Sequence, residues 1–412
     1  MTTSPSATIP SPESLLTTLR SFPRPVWILF AGVFINKFGT FVLPFLTLYL
    51  TRRGFSTGDA GLAIGAYGLG RIGAGFIGGH LADSIGRRKT IVISMVLAAV
   101  SMALLSQAHS LPAIVMLTGL ASLTGEMYLP AAAALLIDQV PPERRVTAFS
   151  AYRMAFNAGW AFGPAAAAFL ATHSFVWLFL GDALSSLLFA VVAWKWLPSQ
   201  VRTGKAEAGW KEAWSKMREN KKMLQIVLAT LFMGLLIHQM VTTYGLHVTS
   251  LGHADATYGA LLSLNGLLVV LFELPLTTWT RRLPARPVIA VGYLLIGLGL
   301  TLNVVWHSLP GLVAGMVIFT LGEMTYAPVI SAYVASLAPE RMRGRYMGTW
   351  SLSNSLSLTI APILGMMIFA RSPAVLWISC GFMAVLGAVT ILAKFPGRAP
   401  ALPGPAATLK NG

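Results

Sequence analysis

Cys380 is the only cysteine in the 412 residues and lies in an apolar run, so the chain can offer neither a disulfide nor a thiolate metal site. Charge is scarce too: 11% of residues are Asp, Glu, Lys or Arg, about half of what an ordinary soluble chain carries. No Gly-Lys-Ser or Gly-Lys-Thr occurs, which removes the Walker phosphate loop and makes an ATP-driven pump a poor reading. Metal-ligand spacing, a nucleophile elbow and a dinucleotide loop are also missing, so an intramembrane enzyme is a distant second class. Acids are rarer than bases, 14 against 30, for a net charge of +16. That excess alone would admit a nucleic-acid partner, so the placement of the bases has to decide.

What the chain has in quantity is apolar sequence, 55% of its residues. It falls into twelve runs, each long enough to cross about 30 Å of hydrocarbon at about 1.5 Å per residue. Spans 1 to 6 are read at Pro25–Leu50, Asp59–Ala82, Thr90–Gln107, Pro112–Ile137, Thr147–Ala171 and Phe175–Leu197. Spans 7 to 12 are read at Met223–Ser250, Thr257–Thr280, Pro287–Trp306, Pro310–Leu337, Arg345–Ala370 and Ala374–Ala393. With a cytoplasmic N-terminus, Arg52, Arg53 and Arg371 face outward and Lys37, Arg71 and Arg153 lie within spans, while every other Lys and Arg falls on the cytoplasmic side. This is the positive-inside pattern. It assigns the basic excess to loops facing anionic lipid and excludes nucleic acid as a partner.

The expected organisation is a cytoplasmic tail at 1–24, a six-helix bundle at 25–197, a linker at 198–222, a second bundle at 223–395 and a cytoplasmic tail at 396–412. The first tail lacks the pattern of a cleaved signal peptide and is expected to be retained. Trp210, Trp214 and Met217 recur at helical spacing in the linker, which predicts a helix lying on the inner membrane surface.

The two bundles are copies of one design. A shift of 197 residues lays Gly125-Glu126-Met127 on Gly322-Glu323-Met324, Pro142-Glu143-Arg144 on Pro339-Glu340-Arg341, and Asn157 on Asn354. Each copy sets a glutamate in an apolar run, followed by a short charged loop. An internal repeat of this kind nearly decides a fold.

Besides histidines, seven ionisable groups lie within spans: Lys37, Arg71, Glu126, Arg153, Asp182, Glu273 and Glu323. Each costs about 2.5–3.5 kcal/mol at the membrane centre on insertion scales, so each is a functional candidate by default. By depth, Lys37 and Glu126 both sit near the midplane, as do His238 and Glu323, while Arg153 and Glu273 share a level nearer the cytoplasmic side. Burial disfavours a charged carboxylate and a nearby lysine favours it. A glutamate in that balance can take a proton from one side and release it on the other, which makes Glu126 or Glu323 the expected proton carrier. The plain structural alternative is a pair that neutralises itself and pins two helices. His109, His173, His247, His253 and His307 fall at or near outer loops and are expected to be solvated.

Gly79-His80-Leu81-Ala82-Asp83-Ser84-Ile85-Gly86-Arg87-Arg88-Lys89 resembles the signature loop of the major facilitator superfamily, with Ser84 in place of a commoner basic residue. Gly159-Trp160-Ala161-Phe162-Gly163-Pro164 resembles that family's antiporter motif, with alanines at 167 and 168 where the fuller motif has glycines. The stretch from Glu323 through Arg343-Gly344-Arg345-Tyr346-Met347-Gly348 is similar to the bacterial multidrug drug:proton antiporter branch. Two departures stand out. Ala121 occupies the place of an arginine often found in span 4, and the acid often found in span 1 is missing, Lys37 being the central ionisable group there.

The resemblance implies an all-α membrane protein of twelve transmembrane helices in two pseudo-symmetric six-helix bundles. It implies that spans 1, 4, 7 and 10 line a central cavity, which makes Lys37–Glu126 and His238–Glu323 candidate pairs. Spans 5 and 8 would meet across the bundles, with Arg153 bridging Glu273, and span 6 would sit at the periphery, which weakens Asp182. Arg71 and Asn157 complete the candidate cavity set. In the signature loop, Gly79 permits close helix approach and Gly86 a tight turn. Asp83 would accept from backbone N–H groups at a neighbouring helix start, and Arg87 and Arg88 would seek carboxylates, Asp138 first; together they would brace a cytoplasmic gate. The implied activity is proton-driven efflux of small amphipathic or cationic compounds by a monomer in a bacterial inner membrane, with both termini cytoplasmic and no cofactor. A proton symporter or facilitator for a metabolite, anionic included, remains the alternative.

Overall fold

The computed structural model describes residues 19–141, 144–199, 220–280, 282–337 and 343–393. Residues 1–18 of the first tail, the second tail, the linker helix and the repeated Pro-Glu-Arg turns, apart from Arg144, lie outside these residues. The described chain is helical almost throughout and contains twelve helices long and apolar enough to cross a membrane. Spans 2, 3, 5 and 6 are continuous at Thr57–Ser84, Arg87–Ser106, Arg145–His173 and Val176–Trp196. So are spans 8 to 12, at Asp255–Thr280, Ala285–Thr301, Leu309–Leu337, Arg343–Arg371 and Pro373–Leu392.

The other three are interrupted near mid-depth. Span 1 consists of Arg24–Phe38 and Val42–Arg52, span 4 of Leu111–Glu126 and Tyr128–Gln139, and span 7 of Lys221–Ile237, Gln239–Thr242 and Tyr244–Ser250. In span 1 the first segment closes on Gly39, whose N–H donates to the Ile35 carbonyl at 3.0 Å, and the second starts after Phe41. Non-helical backbone at this depth is tolerated where protein or a cavity surrounds it, and discontinuous helices commonly mark transporter binding sites. The outer surface is a belt of exposed Leu, Val, Phe and Trp side chains, as lipid contact requires.

The main contacts within the first bundle recur six spans later. Spans 2 and 4, 3 and 4, 3 and 6, 1 and 5, and 1 and 6 pack together, and so do 8 and 10, 9 and 10, 9 and 12, 7 and 11, and 7 and 12. Span 2 meets span 11 and span 5 meets span 8 across the bundles. That is the internal repeat in three dimensions.

The bundles do not meet evenly along their length. Gly61, Gly65, Gly68, Gly75 and Gly79 fall on one face of span 2. A Cβ on Gly61, Gly65 or Gly68 would lie within 3.0 Å of span 11 atoms, with Thr359 N at 2.5 Å from that on Gly68. At Gly75 and Gly79, nearer the chain termini, nothing among the described residues lies within 4 Å. Spans 5 and 8 are tight at the same far level, where Gly266 packs on Ala161 and Gly259 on Ala168 and Pro164. The second segment of span 1 reaches span 7, whereas its first segment packs mainly on spans 4, 5 and 6 of its own bundle. Arg52, ending span 1, donates to Asp255, starting span 8, at 2.7 Å. The bundles are therefore sealed on the face away from the termini and separated between spans 2 and 11 on the terminal face.

Candidate functional site

Lys37 sits in the last turn of the first segment of span 1, where backbone carbonyls favour a cation. Its ammonium meets Glu126 Oε1 at 3.1 Å, and the lysine is only 4% exposed. Glu126 closes the first segment of span 4, directly before that span's interruption. The Tyr67 hydroxyl donates to the same Oε1 at 3.4 Å, and Arg71 Nε stands 4.0 Å from Oε2 with its side chain 38% exposed. The Lys37 ammonium also lies over the rings of Phe156 and Tyr128, at 4.9 and 5.6 Å, contacts that suit a buried cation. A cavity of about 30 Å³ adjoins the pair, lined in part by Asn36, Thr40, Tyr67, Asp182 and Ser186. That is room for one or two waters rather than for an organic substrate.

The antiporter-type motif forms the back wall. Cβ atoms on Gly159 and Gly163 of span 5 would strike Phe38 and Lys37, at 2.7 Å from Phe38 N and O respectively. These glycines let span 5 lie directly against the backbone that carries the lysine. Pro164, in the same helix, turns to the other bundle, where its carbonyl packs on Gly259.

The second bundle is built differently. The expected His238–Glu323 pair does not form. Each side chain instead takes an amide on the helix packed beside it: Glu323 Oε2 accepts from Asn265 of span 8 at 2.8 Å, and His238 Nε2 lies 3.1 Å from Asn354 Oδ1 of span 11. Asn265 also donates to Thr320 at 3.0 Å. A neutral amide satisfies a buried acid or imidazole without a second charge, so no ion pair is required there. Asn157, the repeat partner of Asn354, is half-buried and makes no hydrogen bond among the described residues.

Arg153 and Glu273 form an ion pair joining spans 5 and 8 across the bundles. The Arg153 side chain is 46% exposed, and its charge also acts on Glu323. Arg71 likewise acts on His238.

In the signature loop Gly86 has φ +95°, a left-handed conformation that glycine adopts without strain. It turns the chain so that Arg87, buried, reaches Asp138 Oδ2 at 3.3 Å, Asp83 Oδ1 at 3.3 Å and the Ala82 carbonyl at 2.7 Å. Asp83 is 67% exposed at the side chain, and its partner among the described residues is Arg87 rather than a neighbouring helix start. Arg88 stacks on Trp194 at 5.0 Å and donates to the Leu197 carbonyl at 3.5 Å instead of finding a carboxylate. Among the described residues Gly79 faces open space, not a packed helix. The histidine expected in solvent at 247 is buried and accepts from Trp377 at 3.3 Å.

Sequence reasoning left out Tyr67, Asn265 and the Arg52–Asp255 bridge, and it discounted Asp182, which is buried beside the interruption of span 1. Tyr67 could have been found one turn before Arg71, and Asn265 as the single amide within LLSLNGLLVV.

The profile described as Major Facilitator Superfamily matches residues 29–254 and 242–410. The chain is 29% identical over 353 residues to the uncharacterized MFS-type transporter YttB of Bacillus subtilis (strain 168), covering 83% of this chain and 88% of the relative. It is 25% identical over 398 residues to a Na(+), Li(+), K(+)/H(+) antiporter of Planococcus maritimus, covering 88% and 92%. Against the multidrug resistance protein MdtH of Escherichia coli (strain SE11) the identity is 25%, over 85% of this chain and 88% of that protein. Among solved structures, the nucleoside transporter NupG superimposes with a TM-score of 0.78 at 14% identity, over 88% of this chain and 98% of that one. A D-xylose–proton symporter gives 0.77 at 16% identity, over 92% and 98%.

Proposed function

The chain belongs to the Major Facilitator Superfamily, and from that premise we propose that it exports small amphipathic or cationic compounds in exchange for protons. It is a multi-pass membrane transporter and not an enzyme. In our reading both termini are cytoplasmic, in a bacterial inner membrane, and the protein works as a monomer driven by the proton gradient. The state described is then closed to the outside, with the gap between spans 2 and 11 facing the cytoplasm.

The observation that carries the proton coupling is the buried Lys37–Glu126 pair. A carboxylate held by one ammonium beside a water-sized cavity changes protonation when that ammonium moves or the cavity opens. Because Gly159 and Gly163 press span 5 against Lys37, and span 5 meets span 8 across the bundles, rocking of one bundle against the other strains this pair. Movement of substrate and movement of the proton site are thereby linked. Exchange rather than co-transport is supported by the Gly159 to Pro164 motif and by the likeness to an antiporter and a multidrug resistance protein.

A second reading rests on Arg71 and Arg153, half-exposed cations within the spans, which suit an anionic metabolite. Inverted membrane vesicles with an acidic interior separate the two, using ethidium as the probe. Antiport predicts dye uptake that collapses the pH gradient, lost in Glu126→Gln. Dye that neither enters nor disturbs the gradient, with an organic anion moving together with the proton instead, would replace export by symport.

A further inference from the structure

Span 6 supplies an acid that the Lys37–Glu126 pair does not use. Asp182 is 6% exposed, and its Oδ2 is buried without a hydrogen-bond partner. It lines the same small cavity as Lys37, Glu126 and Tyr67. Its carboxyl group lies against the backbone N–H groups of Phe41 and Val42, where the second segment of span 1 begins. Ser185, one turn on, occupies the place a side chain at Gly39 would take, so span 6 is docked onto the interruption itself.

Both cations near the cavity, Lys37 and Arg71, stand against Glu126, and Asp182 forms no ion pair among the described residues. Lys37 is the one buried cation there, and it is engaged by Glu126 and two aromatic rings. Arg71 approaches the far oxygen of Glu126 only, at 4.0 Å, and its side chain is 38% exposed. The titratable groups facing Asp182 are Lys37, Glu126 and Tyr67, and its remaining polar neighbours, Asn36, Thr40 and Ser186, do not titrate. A second ionised carboxylate in so small and buried a cavity, with no cation of its own, is strongly disfavoured, so the acid without an ion-pair partner is the one that keeps a proton.

We propose that Asp182 holds this proton in the state described, and that Lys37 is a counter-ion shared between Asp182 and Glu126. The proposal rests on the proton-coupled reading above and names its second acid. When Lys37 turns from Glu126 to Asp182, the Asp182 O–H bond breaks and its carboxylate takes the ammonium. The proton crosses the cavity through water to Glu126, which has lost the Lys37 ammonium and keeps only the more distant Arg71. One O–H bond is exchanged for another, and the site keeps its net charge. The interruption of span 1 makes the step feasible, because Lys37 ends one helical segment while Asp182 faces the start of the next.

Infrared difference spectroscopy of the full chain in lipid nanodiscs, exchanged from H₂O to D₂O, tests this without any substrate. The expected result is a deuteration-sensitive carboxylic acid C=O band at neutral pH that is lost in Asp182→Asn, lost in Glu126→Gln because Lys37 is then free to pair with Asp182, and recovered when Lys37→Met is added to Glu126→Gln. Should Asp182→Asn fail to fold, Asp182→Glu must shift that band rather than delete it. A band unchanged by substitution at Asp182, or absent from the wild type, overturns the proposal and leaves Asp182 as an ionised cap on span 1. If the band behaves as expected but ethidium drives no proton flux in vesicles, the export reading fails while the assignment of the proton to Asp182 stands.

Discussion

Replacing Glu126 by Gln removes the only full charge within hydrogen-bond reach of a lysine that is 4% exposed. At 3.1 Å the pair is worth about 5 kcal/mol at an effective dielectric of 20. Deleting one member of a buried pair typically costs about 3–5 kcal/mol, because the other is left uncompensated. Part of that returns, because the freed ammonium can draw Asp182, which lines the same cavity, into ionising. The expected loss of stability in Glu126→Gln is therefore about 2–4 kcal/mol. Lys37→Met should cost about as much, with Arg71 easing the stranded carboxylate only slightly from 4.0 Å. The double variant should lie close to the wild type, since no buried charge then lacks a partner. Thermal unfolding in one detergent, followed by tryptophan fluorescence, gives the four corners of the cycle. A double variant as unstable as the sum of the two singles would show that the charges do not interact and would refute the reasoning. The stable double variant also separates fold from function, because it should fold normally and yet export nothing against a gradient.

Two further outcomes concern the sealed face. Arg52→Ala releases Asp255, and because Arg52 is more than half exposed the bridge is worth about 0.2–1 kcal/mol, a shift of at most about fivefold toward opening on that face. In Leu43→Cys, with the buried Cys380 replaced by Ser, faster maleimide labelling from that side measures the shift, and an unchanged rate counts against a latch. Gly68→Leu places a side chain where Thr359 N lies 2.5 Å from the new Cβ, whereas Gly79→Leu meets nothing among the described residues within 4 Å of its Cβ. The first should raise that labelling and the second should leave it at or below the wild-type rate; equal effects would remove the argument for an uneven seam.

The fold was legible because twelve apolar runs and a repeat at one offset leave few alternatives, and hydropathy reports length more faithfully than shape. The interruptions of spans 1, 4 and 7 were not legible. Glycine and proline occur in continuous spans too: Pro164, Pro275, Pro328 and Pro362 all lie inside unbroken helices. Counting depth brought Lys37 to Glu126 and Arg153 to Glu273, since helices of known rise put equal depths at equal heights. The same counting paired His238 with Glu323 and failed, because depth says nothing about rotation and because Asn265 and Asn354 offered nearer partners. Asp182 was discounted from the position of its span, though the direction of one side chain, not the place of its helix, decides whether an acid enters a cavity.

The distance in sequence between Lys37 and Glu126, 89 residues, bears on how the protein is made. Synthesis at about 5–20 residues per second separates the two by about 4–18 s. During that interval span 1 must stand in the membrane with a lysine near its centre and no carboxylate opposite, against a cost of about 2.5–3.5 kcal/mol on insertion scales. Its flanking Phe, Leu and Val side chains have to outweigh that charge unaided. The bond that holds the finished site can close only after the fourth span arrives, so the nascent first bundle passes through an interval in which its most buried charge is alone.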